Sequence, residues 1–396
     1  MSMNSTADPG RPAPLLRWQE GGQTQQARWR SEAGLAPPRR VAVVDDSLKA
    51  DHAHRLASEG TALLWRGDFQ NARQLLQALS RRVDAKAKPR SGGAVPVPVP
   101  FPHAFHLHRQ ALAQRARILG SVLLPLQPDY AVPLRRAPDW RAACTQAWGV
   151  ADEQEAVVSL RELLGVVGAY EWRKKGVPMA ALGGDAIHPH YGVFSPVRGE
   201  YVQLVAEAGW PTPARVPTQA FDIGVGTGVL SAVLARRGVP HVEATDLDPR
   251  ALACAAENLQ RLGVAHQVSL SSADLFPSGQ AELVVCNPPW VPAKPSSPIE
   301  QAVYDPDSRM LRGFLAGLRA HLAPGGQGWL ILSDLAEHLK LRSRDELLGW
   351  IEAAGLVVRG RADVRPRHPK AQDRDDPLFA ARAVEVTSLW RLGAAG

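Results

Sequence analysis

The chain has 396 residues, a formal net charge of +7 and a hydrophobic fraction of 45%. At roughly 100–200 residues per domain that length suggests two domains, and the apolar content suffices for a sizeable core. The three cysteines, Cys144, Cys254 and Cys286, are too few and too irregularly spaced for a disulfide framework or a zinc motif.

No apolar run approaches the ~18 residues of a membrane span. Met1 to Arg40 is rich in Pro, Gly, Gln and Arg and lacks the apolar stretch of a secretory signal. A cytoplasmic protein is expected, with no membrane partner. The surplus of Lys and Arg permits a polyanionic partner such as RNA without demanding one. Oligomeric state is left open.

In chain order, residues 1–40 read as a disordered leader. Arg40 to Val44 is a short apolar run, a strand or an anchor. Residues 50–83 look helical, with Asp68 placed to cap a helix carrying Leu75, Leu76 and Leu79. Residues 84–103 break the pattern with alternating Val and Pro, an extended linker. From 104 to 176 the texture is again mostly helical. A mostly helical N-terminal domain, 41–188, is therefore expected, a candidate for selecting the substrate.

After about 190 short apolar runs alternate with helical patterns. Strands are expected at 219–223, 241–246, 267–271, 282–286, 328–333, 356–364 and 384–391. Helices are expected at 228–237, 249–262, 308–322 and 344–354. Asp248 and Pro249 open one helix; Ser343 and Glu346 form a capping box for another. Such alternation builds a mostly parallel α/β sheet covered on both faces. The last two strands lack a helix between them and should pair antiparallel at an edge. Residues 189–396 form this second domain.

Asp222-Ile223-Gly224-Val225-Gly226-Thr227-Gly228 follows a strand and opens a helix. Glycines there let a ligand lie against bare backbone. A dinucleotide site would want Gly at 229, which is Val, and no Gly-Lys-Ser/Thr follows, which excludes a P-loop. The pattern resembles motif I of the class I S-adenosylmethionine-dependent methyltransferases, over roughly 190–392. The resemblance implies a Rossmann-like fold and S-adenosyl-L-methionine as cofactor, lined by Gly224, Gly226 and Gly228. It places Asp222 beneath the cofactor's amino-acid moiety. Asp246, ending the second strand, would accept from the ribose hydroxyls. Asp274, with Leu275 beside it, would meet the adenine.

Asn287-Pro288-Pro289-Trp290 ends the fourth strand at the same edge. The two prolines stiffen the turn. They present the Asn287 side-chain oxygen and the Pro288 carbonyl as acceptors, which suits an NH2 group, and Trp290 offers a face for stacking. An amide or exocyclic amine nitrogen is a poor nucleophile because its lone pair is delocalised. Orienting its hydrogens toward acceptors aims it at the methyl, so transfer depends on alignment, which is able to supply ~7–11 kcal/mol. The motif resembles the signature of N-methyltransferases acting on adenine, guanine or glutamine. Continued through Val291 and Pro292, it is similar to the release-factor glutamine methyltransferases, with Trp at 290 in place of Tyr. Gly192 to Pro196, with Glu200, resembles the segment that precedes motif I in this group and in small-domain ribosomal RNA methyltransferases, and should either cover the cofactor or pack as a loop and helix under the sheet.

The expected activity is N-methylation of a planar amide or amine in a macromolecule, RNA, DNA or a translation-related protein. A catalytically idle cofactor-binding scaffold on RNA or the ribosome, and a small-molecule amine methyltransferase, are the alternatives. Val364 to Arg382, with Arg365, Arg367, His368, Lys370 and Arg374, reads as a phosphate-touching or solvated loop. His103, His106 and His108, and likewise His188 and His190, have no further ligand at metal spacing, so no metal is expected. Cys286 adjoins the motif without an evident base.

Overall fold

The computed structural model describes residues 14–87, 103–197, 199–294, 303–366, 373–374 and 376–396. The chain divides into two compact units, Met1–Val99 with His106–Glu171 and Pro100–Phe105 with Trp172–Gly396.

The first unit is built on a six-stranded mixed sheet. Its strands are β1 (Leu15–Glu20), β2 (Gln23–Arg30), β3 (Arg40–Val44), β4 (Thr61–Trp65), β5 (Val122–Leu126) and β6 (Ala156–Ser159), in the order β1-β2-β6-β5-β4-β3. Helices α1 (Ala50–Ser58), α2 (Phe69–Ala87), α3 (His103–Leu119), α4 (Arg141–Trp148) and α5 (Leu160–Lys175) connect or follow the strands. More residues between 41 and 188 lie in helices than in strands, but the organising element is the sheet.

Two sequence expectations change here. The supposed leader contains an antiparallel hairpin, β1–β2, whose turn is Gly21-Gly22 with φ of +61° and +79°. Leu16 and Trp18 alternate with exposed neighbours and join Ala27 and Trp29 in the core, which outweighs the polar composition around them. The helical reading of 50–83 is interrupted by β4. Gly60, at φ +84°, ends α1, and the next run buries four consecutive residues, Ala62 to Trp65, as a strand covered on both faces does. Asp68 does cap α2: its Oδ1 accepts from the Gln70 N–H at 2.8 Å.

The second unit starts earlier than residue 189. A short hairpin, β7 (Val177–Pro178) with β8 (Ala186–Ile187), places Val177, Met179, Leu182 and Ile187 in the same core as the sheet strands that follow. Helix α6 (Glu200–Glu207) covers that core. The sheet then runs through β9 (Gln219–Ile223), β10 (His241–Asp246), β11 (Val268–Ser272), β12 (Ala281–Cys286), β13 (Leu322–Ser333), β14 (Leu356–Val364) and β15 (Thr387–Ala394). Between them lie α7 (Val229–Arg236), α8 (Pro249–Arg261), α9 (Arg309–His321), α10 (Leu335–His338), α11 (Arg344–Ala353) and α12 (Phe379–Arg382).

The order is β11-β10-β9-β12-β13-β15-β14. The five strands from β11 to β13 pair parallel; β15 is antiparallel to both β13 and β14. The final strand therefore pairs with β14 as expected, but it inserts beside β13 and leaves β14 at the edge. Alternation along β12 explains the two layers. Leu283 and Val285 face the α6–α7–α8 side; Val284 and Cys286 face α9 and α11. Each fully buried Leu or Phe of this kind stabilises the fold by roughly 1.5–3 kcal/mol. Chain reversal at β9 sends α7 and α9 to opposite faces, so the carboxyl ends of β9 and β12 flank the point where ligands of open α/β sheets bind.

Candidate active site

The glycine loop is fastened to β10. The N–H groups of Gly224 and Val225 both donate to the Thr245 carbonyl, at 2.9 and 2.8 Å. The Gly226 N–H donates to Asp246 Oδ2 at 3.1 Å, and the Asp248 N–H to Asp246 Oδ1 at 2.9 Å. Asp246 thus keeps one lone pair on each oxygen for a ligand at the strand end. Burial pushes its carboxyl above the usual range, against backbone N–H groups that pull it down. Asp248, as expected, caps α8 by accepting from Arg250 N–H at 2.9 Å.

The three glycines have different jobs. All have positive φ: +79° at Gly224, +53° at Gly226 and +80° at Gly228. A Cβ at Gly226 would meet the Gly224 carbonyl oxygen at 4.0 Å, ordinary contact, whereas one at Gly228 would meet the Cα and Cβ of Ala255 at 3.2 Å. Gly228, expected to line the cofactor, also lets α7 approach α8.

Asp222 lies beneath this loop and is 0% exposed. Its Oδ2 accepts from the Ser231 hydroxyl at 2.6 Å, while Oδ1 has no hydrogen-bond partner. Desolvation pushes its carboxyl up to about 6. An unfolded Asp222 releases its proton near 3.8, so the folded chain holds that proton over a wider range. The stability this gives is complete below about pH 4 and is lost as pH rises through about 6, a change of roughly 3 kcal/mol. Asp222→Asn should flatten the thermal-stability profile between pH 4 and 6, measured by calorimetry of the ligand-free chain. An unchanged slope would show that another group titrates there.

Asn258, which the sequence reading overlooked, braces the loop. It is fully buried in α8. Its Nδ2 donates to the Thr227 carbonyl at 3.1 Å, and its Oδ1 accepts from the His188 N–H at 2.8 Å. An amide on the otherwise apolar face of Ala251, Cys254 and Ala255 was the available signal. Val193, in the segment expected to cover the cofactor, packs on Ala251 and Cys254 of the same helix.

On the other side of β10, the Thr245 hydroxyl donates to the Leu275 carbonyl. Leu275 has φ +78°, an uncommon conformation for a branched residue, and its Cδ1 fills the space above Gly313 of α9. This anchors the turn bearing Asp274. Asp274 is half-exposed, and its Oδ2 accepts from Arg309 at 2.6 Å, so Oδ1 is the oxygen it has left for a ligand.

At the end of β12, Asn287 and Trp290 meet. The indole Nε1–H donates to Asn287 Oδ1 at 2.9 Å, so the expected acceptor already carries one hydrogen bond within the turn. The following chain folds back: Val291 N–H donates to the Val303 carbonyl at 3.1 Å, and Asp305 N–H to the Val291 carbonyl at 2.9 Å. Asp305, 5% exposed, accepts from the Met310 and Leu311 N–H groups at 3.0 and 3.1 Å and so ties this turn to the start of α9. Residues 295–302, which follow this turn, and Arg367, His368 and Lys370 lie outside the described residues. Cys286 is fully buried, and burial holds its thiol well above the ordinary range, which suits packing rather than nucleophilic attack.

Three carboxylates that desolvation holds above their ordinary range, the buried Asp222 and Asp305 and the part-buried Asp246, therefore gather at one sheet edge. That edge favours a cation, and S-adenosylmethionine carries both a sulfonium and an ammonium. The orphaned Asp222 Oδ1 and the uncrowded side of Gly226 fit it. Among the described residues no group of three His, Cys, Asp or Glu is placed to hold a metal ion. No helix of these residues is long and apolar enough to cross a membrane.

Sheet order and glycine loop together give the Rossmann-like α/β architecture expected of a class I S-adenosylmethionine-dependent methyltransferase domain. Residues 190–346 match the family described as methyltransferase small domain. The chain is 35% identical over 181 residues to a release factor glutamine methyltransferase of Cereibacter sphaeroides, covering 41% of this chain and 58% of that protein. It is 44% identical over 140 residues to a ribosomal protein L11 methyltransferase of Pelotomaculum thermopropionicum, 35% of this chain and 38% of that one. A ribosomal protein L11 methyltransferase of Brucella suis is 31% identical over 141 residues, 36% and 43% respectively. The chain thus matches about half the length of these relatives, or less.

Proposed function

We propose that this chain transfers a methyl group from S-adenosylmethionine to a planar nitrogen of a macromolecule, with a glutamine side-chain amide in a translation-related protein as the acceptor. The observation that carries it is the turn at the end of β12. There Asn287 Oδ1 and the Pro288 carbonyl stand one strand from the glycine loop, and two acceptors at one strand end match the two hydrogens of an amide NH2. The relatives named for release factor glutamine and for ribosomal protein L11 support a protein acceptor and a cytoplasmic setting.

In this reading Asp246 holds the ribose, Asp222 lies under the ammonium, the Gly224–Gly226 backbone backs the methionine moiety, and Asp274 with Leu275 borders the adenine. The bound cofactor supplies an electrophilic methyl on sulfur. Asn287 and Pro288 orient the nitrogen, and Pro289 stiffens the turn. Trp290 buttresses Asn287 and offers a ring face to the amide plane. No base is needed before the methyl moves, because alignment rather than ionisation makes the nitrogen reactive.

A nucleobase amine is the second reading. Its exocyclic NH2 suits the same pair of acceptors, and the net charge of +7 favours a polyanion. Methyl-labelled cofactor, incubated with release factors, ribosomal proteins and total RNA from cells lacking the gene, separates the two. Label in a protein glutamine supports the proposal; label in RNA alone replaces it with the second reading. Tight cofactor binding with no label in any fraction overturns both.

A further inference from the structure

The space beside Gly224 is already taken. A Cβ on Gly224 would stand 2.7 Å from Met310 Cε, closer than two carbon atoms approach, so the thioether methyl fills the space over the bare α-carbon. Gly224, at φ +79°, is one of the two glycines proposed to back the methionine moiety. Met310 is half-buried, on the rim of the apolar cluster that also holds Leu275 and Trp290. A ligand against Gly224 and the Met310 methyl exclude one another.

The main chain at Met310 is held while its side chain is not. Its N–H donates to Asp305 Oδ1 at 3.0 Å, and the Asp305 N–H donates in turn to the Val291 carbonyl of the acceptor turn. Asp307 and Ser308, just before it, have φ of +56° and +52°, a costly pair for non-glycine residues and of the kind kept at ligand clamps and switches. Arg309, next in the chain, holds Asp274 on the adenine side. One short turn therefore reaches both ends of the proposed cofactor site. Beyond this fixed backbone the Met310 side chain is unbranched, with three rotatable bonds, and withdraws readily.

We propose that Met310 gates the cofactor site: in the free chain its thioether stands where the methionine moiety of S-adenosylmethionine belongs, and it withdraws when the cofactor binds. The replacement is like for like, one sulfur-bound carbon chain for another against the same glycine. A side chain that blocks the site lowers apparent affinity in proportion to the fraction of molecules it leaves open. The effect falls on S-adenosylhomocysteine as well, so Met310 returning to Gly224 opposes rebinding of the product. The proposal rests on the cofactor placement given under the proposed function.

Its test does not use methyl transfer. The chain has only four methionines, Met1, Met3, Met179 and Met310, so carbon-13 in their methyl groups gives a simple spectrum. The Met310 signal is the one lost in M310L. In the free full-length chain that methyl should show a nuclear Overhauser contact to the Gly224 α-protons, and saturating S-adenosylhomocysteine should abolish it. By calorimetry M310A should bind S-adenosylhomocysteine about three- to ten-fold tighter than the parent. M310L, of similar volume and shorter reach, should fall between the two. A contact missing from the free chain, or one that persists in the complex, overturns the gate and leaves the proposed function standing. Weaker binding by M310A also overturns it and makes Met310 a wall of the cofactor site. If M310A does not fold, the contact in the parent chain decides. A folded parent chain that does not bind S-adenosylhomocysteine at all overturns the gate together with the proposed function.

Discussion

Asn287→Ala should lower kcat by about 10²–10³-fold, the loss seen when one preorganised polar group at a reacting centre is removed, while S-adenosylmethionine binds within a few-fold of the parent. The separation of effects follows from position. Asn287 is the first residue past β12, and the contacts of the Asp246 carboxylate are all made within the β9 and β10 loops. Truncation leaves Trp290 Nε1–H without its acceptor, so Trp290→Phe is the informative companion. It keeps a ring face but removes the donor that fixes the Asn287 amide. A ten-fold or smaller fall in kcat with unchanged cofactor affinity is expected of a positioning contact. A loss as large as that of Asn287→Ala would make the indole a substrate contact in its own right. Single-turnover transfer and equilibrium dialysis of the cofactor measure the two quantities. Lost cofactor binding in a folded Asn287→Ala chain would mean the residue belongs to the cofactor site.

The domain that carries these residues was legible in the sequence because its signals are local and redundant. Strand, glycine turn and helix follow one another within Gln219–Arg236, and Asp248 and Ser343 both cap the helices they were expected to cap. Strand insertion was not legible. Nothing local in Thr387–Ala394 says that it pairs with β13 as well as β14; that depends on contacts made far away in the chain. In the first unit, β1 and β2 did announce themselves through alternating Leu16 and Trp18 and a Gly-Gly turn, but the polar composition of the segment masked a period of two. The candidate site divided in the same way. Residue types at strand ends were readable, whereas the Trp290–Asn287 bond, the brace supplied by Asn258 and the seat of Met310 over Gly224 arise only when distant segments are folded together.

Asp246→Ala should weaken S-adenosylmethionine binding by about 10²–10³-fold, the equivalent of one or two hydrogen bonds to a charged group at ~1.5–3 kcal/mol each. The carboxylate does two things at once. It accepts from the Gly226 and Asp248 N–H groups, shaping both loops, and it keeps a lone pair on each oxygen toward the strand end. Asp246→Asn retains one acceptor in the same place and should lose less. The two variants therefore separate loop shape from charge. Acidity gives a further check. Burial raises the carboxyl of Asp246, and that of Asp222 to about 6, and a cationic ligand prefers both ionised. Affinity should be greatest above pH 7 and fall as pH drops through about 6, with protons released on binding in that range. In Asp246→Asn the acid fall should persist only to the extent that Asp222 causes it, and in the double variant with Asp222→Asn it should vanish. Calorimetric titrations in two buffers of different ionisation enthalpy read both the affinity and the proton count. Affinity independent of pH from 5 to 8 in the parent chain would show that neither carboxylate meets the cofactor's charge.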